Sequence, residues 1–80
     1  MRLNVYSLKR AVFEGEAKAV NCKTMLGEIT VLDHHEPLIS EMTAGVMKIT
    51  DVAGKEHFAS LTGGFIEVQG KNLVRAIVEE

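Results

Sequence analysis

Apolar and polar residues alternate with period two along most of this chain, and Gly, Pro, Asn or Asp interrupts the alternation at intervals of roughly 8–12 residues. Successive side chains of an extended strand point to opposite sides, so such a pattern buries one face and wets the other. Arg2–Tyr6 carries Leu3 and Val5 on one side. Val12–Glu14 reads as a short extended piece that ends at Gly15, and Glu16–Lys23 as a separate strand in which Val20 and Cys22 share a face. Beyond Gly27, Ile29 and Val31 oppose Glu28 and Thr30 as far as Leu32. Asp33–Pro37 is a loop, because Pro37 lacks a backbone donor and biases Glu36 away from helical geometry.

The alternation resumes in Leu38–Met42, Gly45–Asp51, Glu56–Leu61, Phe65–Gln69 and Leu73–Val78. Asp51–Lys55 and Gly70–Asn72 supply hairpin turns, and Gly63-Gly64 marks a bend or bulge. The one helical rival, Leu38–Lys48, has poor helical spacing and contains Gly45. About nine short strands, with no linker or repeat between them, predict one all-β domain over residues 1–80, a sandwich or flattened barrel.

Charge and composition remove several functions. Net charge is −2 with the signs interspersed, and the longest basic run, Lys9–Arg10, is too short to neutralise a line of phosphates. One Tyr and three Phe do not make a base-stacking platform. Cys22 is the single cysteine, so no internal disulfide forms. The start MRLNVYSLKR lacks the apolar core of a secretory signal, and no apolar run approaches the ~18 residues that span a bilayer. Membrane association is therefore expected only through a partner.

Few residues suggest chemistry. Asp33-His34-His35-Glu36 is the densest set of possible metal ligands, but neighbours in an extended chain point apart, and no second ligand motif accompanies them. Cys22 with His57 would be a nucleophile and base, yet Cys22 lies on an apolar strand face. Gly63-Gly64 precedes a strand rather than the helix a phosphate loop needs. Glu14, Glu16 and Glu28 read as surface carboxylates, and Met25, Met42 and Met47 as core filler. No catalytic, cofactor or metal site is expected. Two rivals stand beside a structural role: an unrelated all-β binding module, and a small metal-dependent enzyme using Asp33, His34, His35, His57 and Cys22.

Several motifs follow one another in a telling order. Val12-Phe13-Glu14-Gly15 leads into a strand of small and apolar residues, Ala17–Cys22. Gly27-Glu28 precedes the apolar strand Ile29–Leu32 and the loop Asp33-His34-His35-Glu36-Pro37-Leu38. Gly45-Val46-Met47-Lys48-Ile49 and Gly63-Gly64-Phe65-Ile66-Glu67-Val68 complete the series. Across essentially the whole chain this resembles the N-terminal domain of the F-type ATP synthase epsilon subunit, called delta in mitochondria. Asp33-His34 stands where that family has Pro-Gly, and Glu36 where it has Ala, which implies a loop stiffened less and charged more.

The resemblance implies a flattened β-sandwich of about ten short strands. It implies a non-catalytic domain without cofactor in the central stalk, beside the gamma subunit and on the ring of c subunits, at the cytoplasmic face of the energy-transducing membrane. By the same carry-over, Gly27, Glu28, Asp33, His34, His35 and Glu36 would meet the c-ring, and Ser7 and Ser40 would face gamma. The family's C-terminal helical hairpin is absent from these residues, so the inhibition and ATP binding it carries are not assigned to this chain.

Overall fold

The period-two pattern builds eight strands and no helix in the structure, a computed structural model that describes residues 1–80. They are β1 Arg2–Tyr6, β2 Ala11–Thr24, β3 Gly27–Leu32, β4 Leu38–Met42, β5 Gly45–Asp51, β6 Glu56–Leu61, β7 Gly63–Gln69 and β8 Leu73–Glu79. The all-β class agrees with the sequence. The segmentation differs, because Val12–Glu14 and Glu16–Lys23 are one strand that runs straight through Gly15.

Two bulges explain why β2 reads as two. Val5 pairs with Phe13 and Tyr6 with Ala11, which leaves Val12 as an extra residue. Ala17 pairs with Asp51 and Ala19 with Thr50, which leaves Lys18 as another. An extra residue reverses the in-out alternation. Ala17 is buried before Lys18, and Val20, Cys22 and Thr24 are buried after it, so inward positions change from odd to even numbers. A straight strand of this length would run about 45 Å, whereas the molecule measures 26 × 23 × 19 Å. β2 therefore bends, with Gly15 at φ 153° in the bend. Along its length it lies beside β1, then β5 and β3, and last β4.

The strand order is β1-β8-β7-β4-β2-β5-β6, and β1 also pairs with β2, so five strands close on themselves. β3 pairs only with β2 and is an edge. All pairings are antiparallel except β1 with β8. Inward side chains form one core of 17 buried apolar residues, centred on Leu3, Val5, Val20, Val31, Met42, Met47, Ile49 and Ile66. Cys22 lies within it, and burial pushes its thiol up to about 11.

Candidate functional site

Two surfaces differ in chemistry from the rest of the exterior. The first is the outer face of β1, β8, β7 and β4. Register places Tyr6, Ile77, Phe65 and Glu41 in one row across it. Ile77 and Phe65 are each 58% exposed, an unusual position for large apolar side chains on neighbouring strands. The next row is Asn4, Arg75, Glu67 and Ile39. Arg75 Nε donates to Glu67 Oε1 at 2.9 Å, and Gln69 Nε2 donates to the same oxygen at 3.0 Å. The Arg75 hydrogen bond holds the Glu67 carboxyl below the usual range. The result is an open groove of about 530 Å³ with an apolar floor and one ion pair, flanked by exposed Ile39.

The second surface is the β3 edge with the loop at each end. At one end Thr24 Oγ1 donates to the Gly27 carbonyl at 2.8 Å and accepts from the Leu26 N–H at 3.0 Å, closing a tight turn. That turn exposes Met25 and Leu26 beside Glu28, whose Oε2 accepts from Asn21 Nδ2 at 3.3 Å. Sequence reasoning assigned Met25 to the core with Met42 and Met47. Only the latter two are buried. The exposure follows from the β3 register, since a two-residue turn between paired Thr24 and Gly27 has no interior to fill.

The other end is charged. Asp33 Oδ1 accepts from the Met1 ammonium, which also donates to the Ala17 carbonyl at 2.9 Å. That ammonium, with Asn72 second, holds the Asp33 carboxyl below its ordinary value. His34 and Glu36 are exposed, and His35 Nδ1 lies 2.7 Å from its neighbour's carbonyl, that of Glu36. The residues implied for the c-ring thus fall into two groups. Gly27 and Glu28 are separated from the Asp33–Glu36 group by the length of β3, about 17 Å. They share an edge rather than a point.

Ser7 and Ser40 fare differently. Ser7 Oγ accepts from the N–H groups of Lys9 and Arg10 at 3.1 and 3.2 Å and donates to Glu80 Oε1 at 3.0 Å. Its hydroxyl builds a turn that leaves Leu8 fully exposed. Ser40 is buried, 7% exposed, because it shares the inward side of β4 with Met42. The outward residues there are Ile39 and Glu41.

Nothing converges for catalysis. No three His, Cys, Asp or Glu side chains form a metal-holding group. His57 Nε2 pairs with Asp51 Oδ2 at 2.9 Å and its ring meets Phe13 edge-on, while Cys22 is sealed in the core. Gly63-Gly64 belongs to β7, where Gly64 passes close to the β8 backbone.

Residues 1–80 match the family model for the ATP synthase delta/epsilon chain β-sandwich domain. Among curated relatives, the ATP synthase epsilon chain of Bordetella petrii is 39% identical over 69 residues, 86% of this chain and 49% of that one. The epsilon chain of Dichelobacter nodosus is 36% identical over 70 residues, 88% and 49%. The chain thus spans about half the length of the curated relatives it matches. Among solved structures, a chain of the Euglena gracilis mitochondrial ATP synthase (OSCP/F1/c-ring) superposes with TM-score 0.91 at 23% identity, covering all of this chain and 51% of that one. A chain of the Tetrahymena thermophila mitochondrial ATP synthase central stalk and c-ring gives 0.83 at 15%, covering 100% and 63%. At those identities the superpositions speak for the fold. With the family match running over every residue, the chain belongs to the ATP synthase delta/epsilon chain β-sandwich family.

Proposed function

We propose that this domain is a non-catalytic rotor element of an ATP synthase, which holds two partners at once and so passes ion-driven rotation of the c-ring to the gamma subunit and the catalytic head. Family membership supports the assembly, and two separate exposed surfaces, the β1–β8–β7–β4 face and the β3 edge, support the pair of partners. The gamma subunit takes the face of Tyr6, Ile77, Phe65 and Ile39, with the Ser7 turn at its rim. Ile39 and Glu41 make the contact that Ser40, turned inward, does not. The c-ring takes the β3 edge, through Met25, Leu26, Gly27 and Glu28 at one end and Asp33–Glu36 at the other. Two interfaces of about 800 Å² each would cover roughly a third of the 4786 Å² surface.

No helix is long and apolar enough to cross a membrane. On this reading the domain works at the cytoplasmic face of the energy-transducing membrane, held there by its partners. Torque transmission asks for a stiff body and contacts that do not slip. A closed five-strand ring around a single core supplies the stiffness. The exposed Glu28 carboxylate is shaped to receive a guanidinium from a ring loop. In the enzyme reconstituted into vesicles, Glu28→Lys is expected to lower gradient-driven ATP synthesis several-fold without changing the domain's melting temperature. Undiminished synthesis would remove Glu28 from the contact.

A further inference from the structure

The three non-glycine residues with positive φ all lie in two loops that touch each other: His34 at 61°, Lys71 at 64° and Asn72 at 59°. A side chain in this region crowds its own backbone, so the conformation persists where surroundings enforce it. Lys71 and Asn72 are two of the three residues, Gly70–Asn72, that turn the chain between paired Gln69 and Leu73, and a hairpin loop this short calls for positive φ. No hairpin accounts for His34, which lies between β3 and β4.

A four-residue turn places it: the His35 N–H donates to the Leu32 carbonyl at 3.2 Å, with His34 third, a position where such turns take positive φ, and Asn72 holds that turn against the sheet. The His34 N–H donates to Asn72 Oδ1 at 2.7 Å. Asn72 Nδ2 donates to Asp33 Oδ1 at 3.4 Å, on the oxygen that also accepts from the Met1 ammonium. The Asn72 carbonyl in turn accepts from the Arg2 N–H at 3.0 Å, anchoring the turn on β1. One amide therefore ties a loop to a turn that is itself tied to the sheet. The position needs a residue that tolerates positive φ and carries both an acceptor and a donor, and asparagine meets both demands.

We propose that Asn72 is a positioning residue whose side-chain amide fixes the Asp33–Glu36 loop in a single conformation for docking. The loop's exposed side chains contribute little packing. An unclamped loop would lose affinity in ordering as it docked, and a clamped one arrives ordered. The functional half of this claim rests on that loop meeting the c-ring.

Asn72→Gly keeps the turn's backbone geometry and removes the clamp. In the full chain it is expected to leave the fold intact and to speed exchange of the His34 amide, read by NMR, about tenfold. Affinity for the purified gamma–c-ring rotor should drop by about the same factor. Asn72→Asp retains the oxygen acceptor and is expected to keep the His34 amide protected. Unchanged His34 exchange in the glycine variant overturns the clamp. Faster exchange with unchanged rotor affinity overturns the docking of this loop and, with it, the positioning role, while leaving the hydrogen bonds as observed.

Discussion

His34 holds a left-handed conformation that glycine would adopt freely. Relief of that crowding is worth about 1–2 kcal/mol, and the added freedom of an unfolded glycine takes back about 0.5–1. His34→Gly should therefore stabilise the domain by about 0.5–1 kcal/mol and raise Tm by about 2–8 °C by calorimetry. An unchanged or lower Tm would mean that the imidazole supports the loop as well. Four carboxyls are held below their ordinary values, each mainly by a hydrogen bond to the charged form: Asp33 by the Met1 ammonium, Asp51 by His57, Glu67 by Arg75 and Glu80 by Arg10. Near their reference values, 3.8 for Asp and 4.5 for Glu, the unfolded chain binds more protons than the folded one. Their stabilisation is complete above those values and is lost as pH falls through the depressed ones. Thermal scans should show Tm falling from about pH 4.5 downward, by a modest amount that shrinks with salt, because these pairs face solvent. At this scale the sequence was legible for the burial of Cys22 and the exposure of Glu28 but not for Ser40, Met25 or Asn72. Burial of Ser40 depends on the β4 phase, exposure of Met25 on the β3 register, and the role of Asn72 on a contact 38 residues away.

Strands whose alternation is unbroken, such as β5, β6 and β8, could be read residue by residue, because phase alone decides which side chain turns inward. β2 could not. Its bulges at Val12 and Lys18 are set by β1 and β5, and a bulge leaves no local mark beyond a skipped beat. Gly64 shows the same dependence on a partner strand. At φ 141°, an added Cβ would lie 2.3 Å from the Ile77 carbonyl oxygen and 2.9 Å from Val78 Cα, both backbone atoms. Gly63 has no such φ, and its added Cβ would come within 3.1 Å only of Glu79 Oε1, the movable end of a side chain. Gly64→Ala is expected to cost more than about 3 kcal/mol in a urea titration, and Gly63→Ala about 1 or less. Equal losses would contradict this account of the β7–β8 approach.

For the whole molecule, the family and the sandwich were both within reach of the sequence, since motif order survives where strand boundaries blur. The apolar face was not, because it is assembled from strands far apart in the chain. Tyr6, Phe65, Ile77 and Ile39 become neighbours only through the register of β1, β8, β7 and β4. A rigid body with two separate exposed surfaces is what a coupling element needs: two grips, and no soft joint between them. Side-chain oxidative footprinting tests this most directly, comparing the free chain with the chain assembled on gamma and the c-ring. Tyr6, Phe65 and Ile77, together with Met25 and Leu26, should label in the free chain and become shielded in the assembly, while exposed Phe58 and Val52 label equally in both. Continued labelling of either group in the assembled rotor, or shielding of Phe58 in its place, would contradict the two-grip account.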